Sequence, residues 1–324
     1  MLRSAASAGR EARGAARPPP ARARDYNAGL SAPERPVIRI DDLNFGYRKT
    51  TLYDSFDLHI DRPGVYGLFG RNGSGKSTLL KLIAGLLFPR RGRIEVHGRE
   101  PRRRHPDLLA GIYLVPEEFH LPDLSAVQLL RTHAGFYPRF SAEAFADYLG
   151  VFELPRDRPF AQMSLGEKKK AAMAFALATR TPVLLLDEPT NGLDILGRDQ
   201  FKTIVARPEQ RERIVVVSTH QAHDLESIMD HVLFVDAARL ALSASMPELA
   251  SALRMGVAAD AAALAAIDGV VHHEPLGEQH AWVAANRTGR PGAVSMELLY
   301  KALSRNKQAV LGAMAAARGE TADV

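Results

Sequence analysis

The sequence predicts an α/β fold with an all-helical insertion, and three observations carry that reading. A dense apolar run, Gly64-Val-Tyr-Gly-Leu-Phe69, ends in a glycine-rich turn. It passes into residues 77–87, which place Leu79, Leu80, Ile83, Leu86 and Leu87 on one helical face. Residues 118–180 then read as mainly helical, and strand patterns return at Val183–Asp187, Ile214–Ser218 and His231–Asp236, so that strands alternate with helices around the insertion.

Taken in order, residues 1–36 are rich in Ala, Arg and Pro, with Pro18, Pro19, Pro20, Pro33 and Pro36 as breakers. They hold seven Arg against three acids, or +4 of the net +5, and no sustained period. They are expected to be a disordered tail or the product of a start assigned too far upstream, with a transit peptide or a polybasic surface tether as the sharper readings. From Val37 the texture changes: Val37-Ile-Arg-Ile40, Phe56-Asp-Leu-His-Ile60 and Arg93-Ile-Glu-Val-His97 alternate as half-buried strands do. Pro89 closes the first helix, and 109–116 offers a short strand. Ser125 and Ser141 read as helix N-caps. The main α/β domain is expected over 37–250, with its helical insertion at about 117–165. A small C-terminal αβ appendage over 251–312 is read from Val270/Val271, Ala281-Trp-Val-Ala284 and a helix capped by Ser295; 313–324 is expected to be a flexible tail.

The absence of cysteine in 324 residues excludes a disulfide scaffold, a thiol nucleophile, an iron–sulfur cluster and a cysteine zinc site. A membrane-spanning helix needs about 20 apolar residues, and the apolar runs here are far shorter, so no such helix is expected. Nor does the N-terminus show the apolar core of a secretory signal. A basic balance is one mark of a nucleic-acid binder, but here it sits in the tail. The runs Arg90-Arg-Gly-Arg93 and Arg102-Arg-Arg104 lack interleaved aromatics and read as solvated loops, so no nucleic-acid partner is expected.

The strongest motif is Gly70-Arg-Asn-Gly-Ser-Gly-Lys-Ser77, which matches G-x-x-x-x-G-K-[ST] between a strand and a helix. Its glycines let successive N–H groups point inward at phosphate oxygens, aided by the helix N-terminus. Lys76 adds a point charge at the β- and γ-phosphates, and the Ser77 hydroxyl suits Mg²⁺. About 110 residues on, Val183-Leu-Leu-Leu-Asp-Glu-Pro-Thr190 ends a buried strand in two acids. Asp187 is suited to hold Mg²⁺, and Glu188 to polarise an attacking water as general base.

Four further stretches, in order, make the chain resemble the ATP-binding-cassette (ABC) ATPases over roughly residues 37–250. Met163-Ser-Leu-Gly-Glu167 resembles the family signature, usually LSGGQ, and Asn191-Gly-Leu-Asp194 the loop after the acidic strand. Ser218-Thr-His220 resembles the switch histidine, and Tyr47 stands 23 residues before Gly70, where the family places its adenine-stacking aromatic. The resemblance implies a P-loop NTPase core of ABC type with an antiparallel β subdomain. It implies ATP and Mg²⁺ as cofactors: nucleotide contacts from Tyr47, Gly70, Arg71, Asn72, Gly73, Ser74, Gly75, Lys76, Ser77 and Thr78, metal contacts from Ser77, Asp187 and Glu117, and catalysis by Glu188, His220 and Lys76. Ser164 and Gly166 of the signature would meet the nucleotide of a second cassette, in a homodimer or a heterodimer, and Asp194 is expected to add a nucleotide contact. Bacterial exporter subunits of the family, which the chain resembles, work with a separately encoded transmembrane permease, which would place the chain at the cytoplasmic face of the membrane.

Three positions depart from the family pattern. Glu117, after Pro116, stands where a glutamine is usual, and Leu165 and Glu167 replace a glycine and a glutamine of the signature. The stretch 121–140 and the run Glu167-Lys-Lys-Lys170 look most like bacterial exporter subunits, although the lysines by themselves read as a solvated helix start. A single phosphate loop argues against a two-cassette ribosome-associated protein, and the span between Lys76 and Ser164 leaves no room for a chromosome-maintenance coiled coil. The alternative of another class is a regulatory nucleotide-binding module without transport, against which the presence of both Glu188 and His220 speaks.

Overall fold

In the computed structural model, residues 37–221 and 225–319 are described. The tail expected at 1–36 lies outside them, as does 320–324.

The alternating N-terminal segments form β1 (Ile38–Tyr47) and β2 (Thr50–Ile60), an antiparallel pair in which Ile38 opposes Ile60. The sequence pattern marks only the outer ends of this hairpin, because the inner half carries Asp, Asn and Gly. The apolar run Gly64–Phe69 is β3, buried at every residue, and α1 (Lys76–Ile83) follows its glycine turn. β4 (Arg91–Val96) returns to β1, which completes a three-stranded sheet in the order β2-β1-β4. α2 (Pro106–Leu109) leads into β5 (Ile112–Val115).

The helical region holds α3 (Ala126–His133) and α4 (Ala142–Val151), capped by Ser125 and Ser141, and α5 (Leu165–Ala178), capped by Ser164. The caps satisfy first-turn N–H groups that otherwise lack partners. Tyr113, Tyr137, Phe140 and Phe145 pack around Phe175 of α5, which fastens these helices to the sheet.

β6 (Val183–Asp187), α6 (Ile195–Val205), α7 (Pro208–Arg211), β7 (Ile214–Ser218), β8 (His231–Asp236) and β9 (Arg239–Ser245) complete the main layer. Its strand order is β5-β6-β7-β3-β8-β9, parallel except for β9. Successive side chains in a strand face opposite ways. Leu184 and Leu186 therefore join the core under the helices, while Val183 and Leu185 join the core under the antiparallel sheet. Burial on both faces explains why these strands read as continuous apolar runs. The parallel strands end on one edge, where Asp187 pairs in register with Ser218, and ligands bind open α/β sheets outside such carboxyl ends.

The C-terminal part departs from expectation. The boundary placed at 250/251 falls inside α8 (Met246–Ala252), whose Leu249 and Ala252 are buried in the same core as Val65 and Phe69 of β3. β10 (Leu253–Ala258), α9 (Ala261–Ala265), β11 (Val270–Leu276) and β12 (Gln279–Ala285) follow, with the strands in the order β10-β12-β11. The flexible tail expected from 313 is corrected too: α10 (Met296–Arg318) runs through it and buries Val310, Ala313 and Met314. The i, i+3, i+4 spacing of those residues makes one apolar stripe. Alanine is the strongest helix former, so an Ala-rich stretch with few large apolar residues still holds a helix once that stripe has a core to meet.

Candidate functional site

At the end of β3 the chain turns through Gly70 (φ +157°) and Gly75 (φ +104°). A Cβ on Gly70 would stand 2.4 Å from the Val235 carbonyl oxygen, and one on Gly75 2.4 Å from the Tyr53 hydroxyl, so both positions need glycine for close approach as well as for dihedral freedom. No side chain caps α1 at Gly75, which leaves its first N–H groups available to an anion.

Asn72, Gly73, Gly75, Lys76, Ser77 and Thr78 line a cleft of about 580 Å³ together with Tyr47, Leu52, Glu117, Glu188, Asn191 and His220. Gly70 and Arg71 supply the carbonyls that hold the Lys76 ammonium, at 2.9 and 3.4 Å. Burial lowers the pKa of Lys76, and the charges of Glu188, Asp187 and Glu117 work against that shift. Ser77 Oγ donates to Asp187 Oδ1 at 3.0 Å, and Ser218 Oγ donates to the same oxygen at 2.5 Å.

Glu188 is buried, with backbone φ at +47°, a left-handed conformation uncommon outside glycine, Asn and Asp. Its N–H donates to the Ser218 carbonyl at 3.0 Å, and its Oε2 lies 3.0 Å from His220 Nδ1. Glu117 Oε1 accepts from Asn191 Nδ2 at 2.9 Å. Tyr47 stands half exposed at the rim with its hydroxyl 3.2 Å from Thr78 Oγ1, and its ring meets the edge of buried Phe45.

The oxygen set of Ser77 and Asp187 fits a hard divalent cation. Among the described residues no three His, Asp or Glu side chains converge on one point, so such a cation would be held by these oxygens together with phosphate oxygens. The glycine turn, the uncapped helix start and the Lys76 ammonium fit a polyphosphate.

Residues 53–191 match the family model described as ABC transporter. The chain is 33% identical over 238 residues to the aliphatic sulfonates import ATP-binding protein SsuB 1 of Paraburkholderia xenovorans (strain LB400), an alignment spanning 73% of this chain and 67% of that protein. The chain belongs to the ABC transporter ATPase family. This ABC ATPase is also 28% identical to the lantibiotic transport ATP-binding protein SrtF of Streptococcus pyogenes, over 64% of its own length and 90% of that protein. Among solved structures it superposes on an ATP binding subunit of an ABC transporter with a TM-score of 0.59 and 25% identity, covering 66% of this chain and 91% of that one.

Not every expected residue of the ABC ATPase reaches the cleft. Ser164, Gly166 and Asp194 do not line it. Ser164 and Glu167 close a reciprocal cap on α5, and Arg158 pairs with the Glu167 carboxylate. Hydrogen bonding from the Ser164 N–H and from Arg158 holds the Glu167 carboxyl below the usual range. Glu167 thus serves the cap, where a negative charge suits a helix N-terminus. Leu165 projects outward, 71% exposed. A Cβ on Gly166 would lie 3.5 Å from the Gly192 carbonyl, and Asp194 caps α6 by accepting from the Gly197 N–H at 2.8 Å.

The reading of the lysine run as a solvated helix start fails at Lys169, which is buried. Its ammonium donates to the carbonyls of Glu188 and Asn191 at 2.6 and 2.8 Å. Helical spacing holds the signal that finds it: Met173 and Ala176, four and seven residues on, are fully buried on the same face.

Proposed function

We propose that the chain drives export through a separately encoded transmembrane permease, docked at the cytoplasmic face of the membrane and working as a dimer of cassettes. Among the described residues no helix is long and apolar enough to cross a membrane, and the reading assigns translocation itself to the permease. The observation that carries the reading is the buried Glu188 carboxylate, paired with His220 in a cleft floored by a phosphate loop. The 121–140 segment supports export, and the lantibiotic relative, a transport protein by name, is compatible with it.

In this reading the 70–78 loop binds the ATP phosphates and Lys76 leaves its carbonyls to neutralise them. Mg²⁺, held by Ser77 and Asp187, would supply charge neutralisation at the phosphates. Glu188 accepts the proton of the attacking water, and His220, with Nδ1 at Glu188, keeps Nε2 for a hydrogen bond at the terminal phosphate. Tyr47 stacks on the base. Ser164, Gly166 and Asp194, away from the cleft of their own chain, serve the nucleotide of the other cassette. Tagged protein purified from native membranes is expected to bring a multi-span membrane protein with it. Recovery with ribosomes or with no membrane component would contradict the transport reading.

Glu117 yields a second test. A carboxylate at that edge of the cleft repels metal-free phosphate and attracts a hard cation. Glu117→Gln is therefore expected to tighten binding of ATP in chelator while leaving Mg²⁺-ATP affinity unchanged or weaker, as measured by paired nucleotide titrations on both proteins. Equal shifts under the two conditions would mean that the Glu117 carboxylate serves its Asn191 contact and not the metal.

A further inference from the structure

Lys169 lies in the second turn of α5 and is 5% exposed. Burying an ammonium is unfavourable unless it is well partnered, and this one has two carbonyl partners, the first and last residues of the turn 188–191. That turn is the element that sets the aim of Glu188. It begins at the left-handed Glu188, closes through the Asn191 N–H donating to the Glu188 carbonyl at 3.2 Å, and ends on the Asn191 amide that holds Glu117. A non-glycine residue keeps such a backbone only where its surroundings over-determine it. From the sheet side, Ser218 supplies an acceptor to the Glu188 N–H; from the helix side, Lys169 supplies the donors.

We propose that Lys169 is a positioning residue for ATP hydrolysis: its ammonium clamps the 188–191 turn and thereby fixes the direction of the Glu188 carboxylate and the Asn191 amide. The proposal rests on the reading of Glu188 as the base. Lys169 touches neither nucleotide nor metal in this role. Burial lowers its pKa, and the nearby carboxylates Glu117, Glu188 and Asp187 oppose that shift, which favours the charged form that donates to two carbonyls at once. Because α5 also begins at Ser164, the clamp joins the helix proposed to meet the opposite nucleotide to the base of its own site.

Lys169→Met removes the charge and, like glutamine, ends one bond short of lysine; the Glu188 carbonyl still accepts from the Asn191 N–H, and Asn191 is exposed, so its carbonyl can be hydrated and the fold is expected to survive. In the full-length protein it is expected to lower kcat on the order of 100-fold, the size of effect that a small misplacement of a reacting group produces, with the Kd for Mg²⁺-ATP unchanged. Lys169→Gln offers two amide hydrogens but ends one bond short, so it is expected to recover part of the lost kcat. In a Glu188→Gln background, Lys169→Met is expected to cause no further loss, because a residue acting through Glu188 has nothing left to act on. Parent-like kcat in Lys169→Met, or the same fractional loss in both backgrounds, would overturn the proposal. Should Lys169→Met bind no ATP, Lys169→Gln carries the comparison: loss of kcat at constant Kd supports the clamp, and proportional loss of both overturns it. Parent-like turnover in Glu188→Gln alone refutes the base assignment and not the clamp.

Discussion

Glu188→Gln is expected to bind Mg²⁺-ATP as the parent does and to hydrolyse it about 10²–10⁴-fold more slowly, the range that a positioned general base contributes. The substitution is isosteric. The contacts that hold the backbone of residue 188, from Lys169 and Ser218, do not involve the carboxylate, so the turn keeps its shape. What is lost is the acceptor of the water's proton. The amide oxygen can still face His220, so the histidine stays at the cleft. Single-turnover hydrolysis beside equilibrium ATP binding separates the two quantities, and a parent-like rate would remove Glu188 from the role of base.

Lys76→Ala is expected to weaken ATP binding by about 10- to 150-fold, the equivalent of the roughly 1.5–3 kcal/mol of a hydrogen bond to a charged group. Three carboxylates, Glu188, Asp187 and Glu117, bear on this ammonium. Without it the cleft loses its positive side chain nearest the loop, and nucleotide phosphates meet that negative charge less opposed. The fold is expected to survive, because Lys76 donates only to two loop carbonyls, which a solvated cleft can hydrate. Unchanged affinity in a direct titration would sink the assignment of 70–78 as the phosphate loop.

The phosphate loop was legible in the sequence because its requirements are local: glycines at positions that need close approach, between an apolar strand and a helix. Asp187 and Glu188 were legible for the same reason, at the end of a strand too apolar to face solvent. What escaped the sequence is long-range. The Asn191–Glu117 bond joins residues 74 apart, and nothing in either segment announces the other. Lys169 was hidden by its neighbours, since a run of three lysines reads as a wet surface while helix geometry turns one of them inward. The C-terminal residues escaped because alanine carries little hydrophobic signal; only the packing of Val310, Ala313 and Met314 against the main core shows that α10 continues to Arg318.

The central claim is that the cleft is half of a site, completed by the signature helix of a second cassette. Ser164, Gly166 and Asp194 stand away from the cleft of their own chain, which is where a contribution in trans would place them. Light scattering of the purified Glu188→Gln variant, with ATP and Mg²⁺ and then with a chelator, tests this most directly. A mass that doubles with Mg²⁺-ATP and returns to that of one chain without metal is the expected result; one chain that stays single while holding a full equivalent of ATP would contradict it.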